Sequence, residues 1–210
     1  TTSLFLRTTG CNLRCWFCDT PYTSWEPEGE QRPWRSVLDE LLADDCQHVV
    51  ITGGEPLLQP DLVPLTQELQ AAGRVITIET AGTVYRPVAA ALMSISPKLS
   101  NSQPSVERSA RWAARHARQR CNRPVLQQLV AEYPTQLKFV IDQRSDITEL
   151  EAFIEAPPPL PRELVWVMPQ ARTNAEIEAK SGWLQETARE HGFQYSSRLH
   201  IEMFGNVRGK

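Results

Sequence analysis

Three cysteines fall within eight residues of this 210-residue chain, Cys11-Asn12-Leu13-Arg14-Cys15-Trp16-Phe17-Cys18, with Asp19 and Thr20 directly behind them. Thiolates are soft donors that hold zinc or iron–sulfur clusters. A structural zinc site is normally closed by four protein ligands, and no fourth Cys or His lies near this triad. An iron–sulfur cube also usually takes four. Three ligands on a cube leave one iron open to another molecule, so the ligand that is missing defines the chemistry. Two other readings stay open on the residues alone: three buried structural thiols, or half of a zinc site completed from elsewhere in the chain. Of the remaining thiols, Cys46 falls at a helix–strand junction and Cys121 in an arginine-rich stretch, and neither is placed as a ligand.

Polar groups recur where apolar runs stop. The second run ends in Thr52-Gly53-Gly54-Glu55-Pro56, where glycine lets the backbone approach a ligand and Glu55 can receive an ammonium group. The third ends in Glu79-Thr80-Ala81-Gly82-Thr83, and the fourth in Ser96-Pro97-Lys98, where Lys98 suits a carboxylate and Ser96 can hydrogen-bond one. Lys138 is a lone charge inside Leu137-Lys138-Phe139-Val140 and is read as pointing into a polar cavity. In α/β sheets ligands gather outside the carboxyl ends of the strands.

The elements that must carry these groups follow from the pattern. Short Val- and Ile-rich runs predict strands at Leu4–Thr8, His48–Thr52, Val75–Thr80, Leu92–Ser96, Gln136–Ile141 and Leu164–Met168, buried on both faces of a parallel sheet. Helices are predicted over Arg35–Asp44, over Asp61–Ala72 ending at Gly73, from a capping box at Asp146 to Glu155, and over Asn174–His191 ending at Gly192. Six such repeats are too few for a closed eight-fold barrel. The expected fold class is α/β, an open, partial (β/α)6-type barrel, as one domain over residues 1–210. Ala156-Pro157-Pro158-Pro159-Leu160-Pro161 reads as a stiff connector into the last strand.

Composition narrows the partners. A net charge of −3 gives no global field for nucleic acid or a membrane surface, and no apolar run approaches a bilayer span. Five cysteines, three of them crowded, suit a reducing cytoplasm better than a disulfide framework. Thr1 enters a strand almost at once, and a preceding segment is expected.

The triad, with an aromatic residue before its last cysteine, resembles the signature of the radical S-adenosylmethionine (SAM) superfamily. The resemblance implies a 4Fe-4S cluster on Cys11, Cys15 and Cys18, with the methionyl end of SAM on the open iron. Thr52-Gly53-Gly54-Glu55, one β/α unit later, is similar to the motif that binds the amino group of SAM. Cys18-Asp19-Thr20 with Trp25, the three strand ends above, Lys138, Met168-Pro169-Gln170, Arg198-Leu199-His200 and Gly205-Asn206-Val207-Arg208-Gly209 follow in succession. Over almost the whole chain this succession looks like the 7-carboxy-7-deazaguanine synthases.

That resemblance implies ring contraction of 6-carboxy-5,6,7,8-tetrahydropterin to 7-carboxy-7-deazaguanine with loss of ammonia, on the path to 7-deazapurines such as queuosine. It implies that SAM is recycled as a cofactor and that Mg2+ is held by Thr20. Phe17, Cys18, Asp19, Gly54, Glu55, Glu79, Ser96, Pro97, Lys98, Lys138 and Gln170 are expected around SAM, and Arg7 and Thr52 at the substrate. The family's Gln-Gly-Glu-Gly substrate loop is absent from these residues, and Met168-Pro169-Gln170 departs from the Gln-Pro order of some members. His200 and Arg208 can reach the site or serve the structure. A flavodoxin-like electron donor and a homodimer are expected partners. Arg108, Arg111, Arg115, Arg118, Arg120 and Arg123 read first as a solvated helix face and second as the dock for that donor. Two alternatives remain at this point: a glycyl-radical-activating enzyme acting on a protein, and a non-catalytic metal-binding protein.

Overall fold

The computed structural model describes residues 1–208, so Gly209 of the closing motif lies outside the described residues. Seven strands form one sheet: β1 (Leu4–Thr8), β2 (His48–Gly53), β3 (Val75–Thr80), β4 (Leu92–Ile95), β5 (Thr135–Ile141), β6 (Val165–Pro169) and β7 (Gln194–Tyr195). They pair in chain order and every pair is parallel. β1 and β7 remain edges, so the barrel is open. Six strands match the sequence expectation in place and type. The seventh is two residues long, too short to leave a periodic signal.

Seven helices accompany them among the described residues: α1 (Trp34–Leu42), α2 (Leu62–Ala71), α3 (Val106–Gln119), α4 (Arg123–Glu132), α5 (Ser145–Glu155), α6 (Asn174–His191) and α7 (Leu199–Phe204). With strands in chain order and right-handed crossovers, the connecting helices fall on one face. The core records this: Val49, Ile51, Ile76, Ile78, Met93, Ile95, Leu137, Phe139 and Val165 share a cluster with Leu38, Leu65, Leu69, Leu129, Leu150 and Leu184 of the helices. Each such side chain withdrawn from water contributes about 1.5–3 kcal/mol.

Strand side chains alternate, so the intervening residues face the concave side. Register aligns Arg7 with Thr52, and Glu79 with Ser94 and Gln136. The polar residues noticed in the sequence therefore share one face near one end of the sheet.

Local chemistry sets the ends. α6 opens on a capping box between Thr173 and Glu176 and closes at Gly192, which is left-handed. α5 begins one residue before Asp146, so no capping box forms there. The buried Asp146 carboxylate instead accepts from the Asp142 and Gln143 backbone N–H groups and from Asn101. No helix among the described residues is long and apolar enough to cross a membrane.

Candidate active site

A cavity of about 300 Å³ opens at the carboxyl ends of the strands, within the range of small-molecule sites. One wall is the loop after β1, which contributes Cys11, Cys15, Phe17, Cys18, Asp19 and Thr20. The other walls carry Thr52 and Gly54 from β2 and its turn, Glu79 from β3, Ser96 and Lys98 after β4, and Lys138 from β5.

The loop is tied at both ends and in the middle. Gly10 donates its N–H to the Thr23 carbonyl (2.9 Å), and Trp25 Nε1 donates to the Cys15 carbonyl (2.9 Å). Asn12 and Thr83 bond each other through their side chains, fixing the loop to the end of β3. The Arg14 N–H donates to Nδ1 of the buried His116 on α3 (3.1 Å). Burial pushes the Cys11 thiol up to about 11 and the Cys15 thiol up to about 12. Left to themselves these thiols stay protonated, whereas a bound metal would draw off the protons.

Gly53 and Gly54 approach protein rather than ligand. A Cβ on Gly54 would lie 2.1 Å from the Gly10 carbonyl oxygen, and one on Gly53, at φ +131°, 2.1 Å from that of Thr8. Gly54 N–H donates to Thr8 and Glu55 N–H to Gly10, so β2 is locked to the root of the cysteine loop. The Glu55 side chain turns away from the cavity into a fully buried site. It accepts from Leu57 N–H (3.1 Å), the Thr80 hydroxyl (2.7 Å) and Ala81 N–H (2.9 Å). Burial raises its pKa, against the pull of those donors.

Charge in the cavity is paired in part. Glu79 accepts from Lys138 Nζ (3.2 Å) and the Thr52 hydroxyl (2.9 Å). Burial works to raise Glu79, but Lys138 and Thr52 bring its pKa below the ordinary value. Asp19 behaves alike, burial being outweighed by the Arg198 ion pair and by His200. Lys98 donates to Ser96 Oγ (2.6 Å), and no carboxylate lies within ion-pair distance of it among the described residues. That leaves a cationic group facing the cavity, which suits an anionic ligand.

The radical SAM superfamily model matches residues 5–100. A 7-carboxy-7-deazaguanine synthase of Rhodopirellula baltica is 41% identical over all of this chain and 81% of its own. One of Halobacterium salinarum is 40% identical over 99% of this chain and 84% of its own. The chain belongs to the 7-carboxy-7-deazaguanine synthase family. It is a radical SAM lyase. Among solved structures, QueE from Escherichia coli superposes with a TM-score of 0.63 at 21% identity, over 93% of this chain and 85% of that one, a likeness of fold. SAM-bound SuiB of Streptococcus suis reaches 0.57 at 13% identity, over 93% of this chain and 50% of that one.

Of the residues expected around SAM and substrate in a synthase of this family, four do not line the cavity: Arg7, Glu55, Pro97 and Gln170. Arg7 is exposed on the concave face, close enough to lower the pKa of Glu79 and His200. Pro97 is buried between its two lining neighbours. Gln170 is buried, and its side-chain oxygen accepts from Lys180 Nζ (3.1 Å), which also pairs with Asp142. His200 lines the cavity, whereas Arg208 pairs with Glu28 and stacks over Tyr22.

The arginine cluster is not one solvated face. Arg108 lies over Trp25, Arg115 flanks Trp112, Arg120 pairs with Glu149, and Arg123 binds the carbonyls of Phe153, Ala156 and Pro158. Arg111 and Arg118 are the exposed remainder without such contacts. Three contributors escaped the sequence reading: Arg198 against Asp19, Ser24 Oγ at 3.3 Å from Cys18 Sγ, and the His116 bond to the loop. Each joins positions far apart or irregular in spacing, which local patterns do not register.

The donor set fits a multi-iron cluster. Three thiols line one wall of the cavity, and soft thiolates are the donors such a cluster takes.

Proposed function

We propose that this chain performs the reaction of its family: ring contraction of 6-carboxy-5,6,7,8-tetrahydropterin to 7-carboxy-7-deazaguanine with release of ammonia. The observation that supports it most is the joint placement of Cys11, Cys15 and Cys18 with Thr20, Thr52 and Lys98 around one cavity. When bound, a 4Fe-4S cluster together with SAM would supply the radical hydrogen-abstraction chemistry that the rearrangement needs. Cys11, Cys15 and Cys18 hold the cluster. Lys98, backed by Ser96, would receive a carboxylate, and Glu79 with Lys138 and Thr52 forms the polar floor of the cavity. Glu55 serves SAM indirectly, by fixing the Gly53-Gly54 turn. Thr20 Oγ offers the single oxygen that a Mg2+ ion beside the substrate carboxylate would use.

The electron comes from a flavodoxin-like acidic donor. Arg111 and Arg118 face solvent on α3, the helix that covers the cysteine loop. Replacing both with Glu should slow flavodoxin-driven turnover and leave dithionite-driven turnover intact. A homodimer is supported by exposed Phe5, Leu199, Met203 and Phe204, which lie on and near the open side of the barrel. Five free thiols suit a reducing cytoplasm.

Anaerobic reconstitution followed by SAM, dithionite and the carboxypterin tests the whole reading. Expected are four irons per chain, ammonia and a deazaguanine, with SAM left unconsumed. One zinc per chain without broad visible absorbance, or an intact cluster that releases no deazaguanine, overturns it.

A further inference from the structure

We propose that Arg14 is the built-in counter-charge of the iron–sulfur cluster and raises its reduction potential; this rests on the cluster assignment above. Arg14 sits between two of the three thiols in sequence and is buried to 7% exposure. Its guanidinium donates through one Nη to the carbonyls of Cys11 and Leu13, both at 2.7 Å. The guanidinium carbon lies 3.8 Å from the ring centre of Trp112 on α3, and the Arg14 N–H is held by His116 on the same helix. The His116 ring is oriented in turn by Ser102 (2.9 Å). The cation is therefore fixed in the middle of the cysteine loop, not trailing into solvent.

No anion of the fold balances it. Among the described residues no Asp or Glu lies within 4 Å of Arg14, and its Nε is buried without a partner. Arg115, also over the Trp112 ring at 4.9 Å from its centre, is a second cation on this helix and worsens the imbalance. A buried, unpaired charge is strongly disfavoured unless something neutralises it. The nearby groups that would balance it are Cys11 and Cys18 once they are thiolates.

Three thiolates around an oxidised cube leave a net negative charge, and the electron added on reduction makes it more negative. A fixed cation nearby stabilises the reduced form more than the oxidised one, because the attraction scales with the product of charges. The reduced form is the one the reaction needs. Arg14 thus acts on the same electron that the donor delivers. Trp112 and His116 are positioning residues, acting through it.

The experiment is a redox titration of the reconstituted holoenzyme without SAM. Dithionite is added against mediator dyes, and the electron paramagnetic resonance signal of the reduced cluster is followed in the parent, Arg14→Gln and Arg14→Lys. Arg14→Gln should hold its electron about tenfold less tightly, about 59 mV more negative for a one-electron couple. Arg14→Lys should stay within about threefold of the parent. Loss of the cluster from Arg14→Gln but not from Arg14→Lys also supports the proposal, since the two differ in charge while both lack the stacked plane. A parent-like potential in Arg14→Gln overturns it. So does an equal change, or cluster loss, in both variants. A parent protein with no reducible four-iron cluster defeats the functional reading instead, so the two failures are distinct.

Discussion

Arg198 and Asp19, 179 positions apart, form an ion pair that fastens the last helix to the cysteine loop. The arginine is almost fully buried and the aspartate about two-thirds so. Arg198 immediately precedes α7, whose His200 lines the cavity. The pair therefore sets where the C-terminal wall stands relative to the three cysteines.

Arg198→Met should loosen that wall at a cost of about 1–3 kcal/mol, discounted for the partial exposure of Asp19. Burial alone raises the Asp19 pKa, and Arg198 is what reverses it. Without the arginine, Asp19 should protonate at a higher pH, so the acid limb of the activity profile should move upward. Hydrogen exchange at Leu199–Phe204 should quicken. Unchanged exchange there, with an unchanged acid limb, would show that the pair does not anchor the wall.

Glu55 gives a sharper test of what the glycine-rich turn does. Its carboxylate satisfies three donors in a site with no exposure. Glu55→Ala should cost about 2–5 kcal/mol, because buried donors lose their acceptor. Glu55→Gln should also destabilise, since an amide NH2 must face one of those donors. SAM affinity of the Glu55→Gln holoenzyme, measured at low temperature where it remains folded, should stay near that of the parent. A large loss of affinity at unchanged melting temperature would instead place the carboxylate on the SAM ammonium.

His116 makes stability depend on pH. Its Nδ1 accepts from Arg14 N–H, so the proton sits on Nε2 toward Ser102, and the neutral ring is the one that fits. Burial, then Arg120 and Lys98, lower its pKa to about 4. The unfolded imidazole takes up a proton near pH 6.5. Stability from this group is therefore complete above about pH 6.5 and is lost as pH falls toward about 4, by up to about 3 kcal/mol. His116→Gln should flatten that part of the pH–stability curve relative to the parent. Parallel curves for the two proteins would reject the assignment.

These residues also show what the sequence made legible. The cysteine triad, the strand ends at Glu79 and Lys98, and the inward turn of Lys138 were readable, because two-residue alternation and ligand spacing are local properties. The partner of Asp19 was not, since a buried ion pair leaves no pattern across so long a separation. Glu55 could not be placed from the sequence for a physical reason. A glycine pair followed by a carboxylate is chemically suited both to a ligand's ammonium and to three backbone and hydroxyl donors, and only the packing decides between them. The same holds for the arginines of α3: spacing alone cannot separate a solvated guanidinium from one stacked on a tryptophan.

One substitution, Gly→Ala, should have opposite effects at two places and an intermediate one at a third. At Gly54 the new Cβ meets the backbone of Gly10 at 2.1 Å and of Thr23 at 2.7 Å, and neither can rotate aside. The junction of β1, β2 and the cysteine loop must open, breaking the Glu55-to-Gly10 and Gly10-to-Thr23 hydrogen bonds. A loss of about 2–4 kcal/mol is expected, together with poor iron loading. At Gly10 a Cβ meets nothing, but φ is +91°, so only backbone strain of about 1–2 kcal/mol applies. At Gly182, within α6, space is open and the residue is helical, so Ala should stabilise by about 0.5–1 kcal/mol through lower entropy of the unfolded chain. Denaturant midpoints and iron content of the three variants check the order. If Gly54→Ala kept the parent's midpoint and four irons, the turn would not be the lock between β2 and the cluster loop.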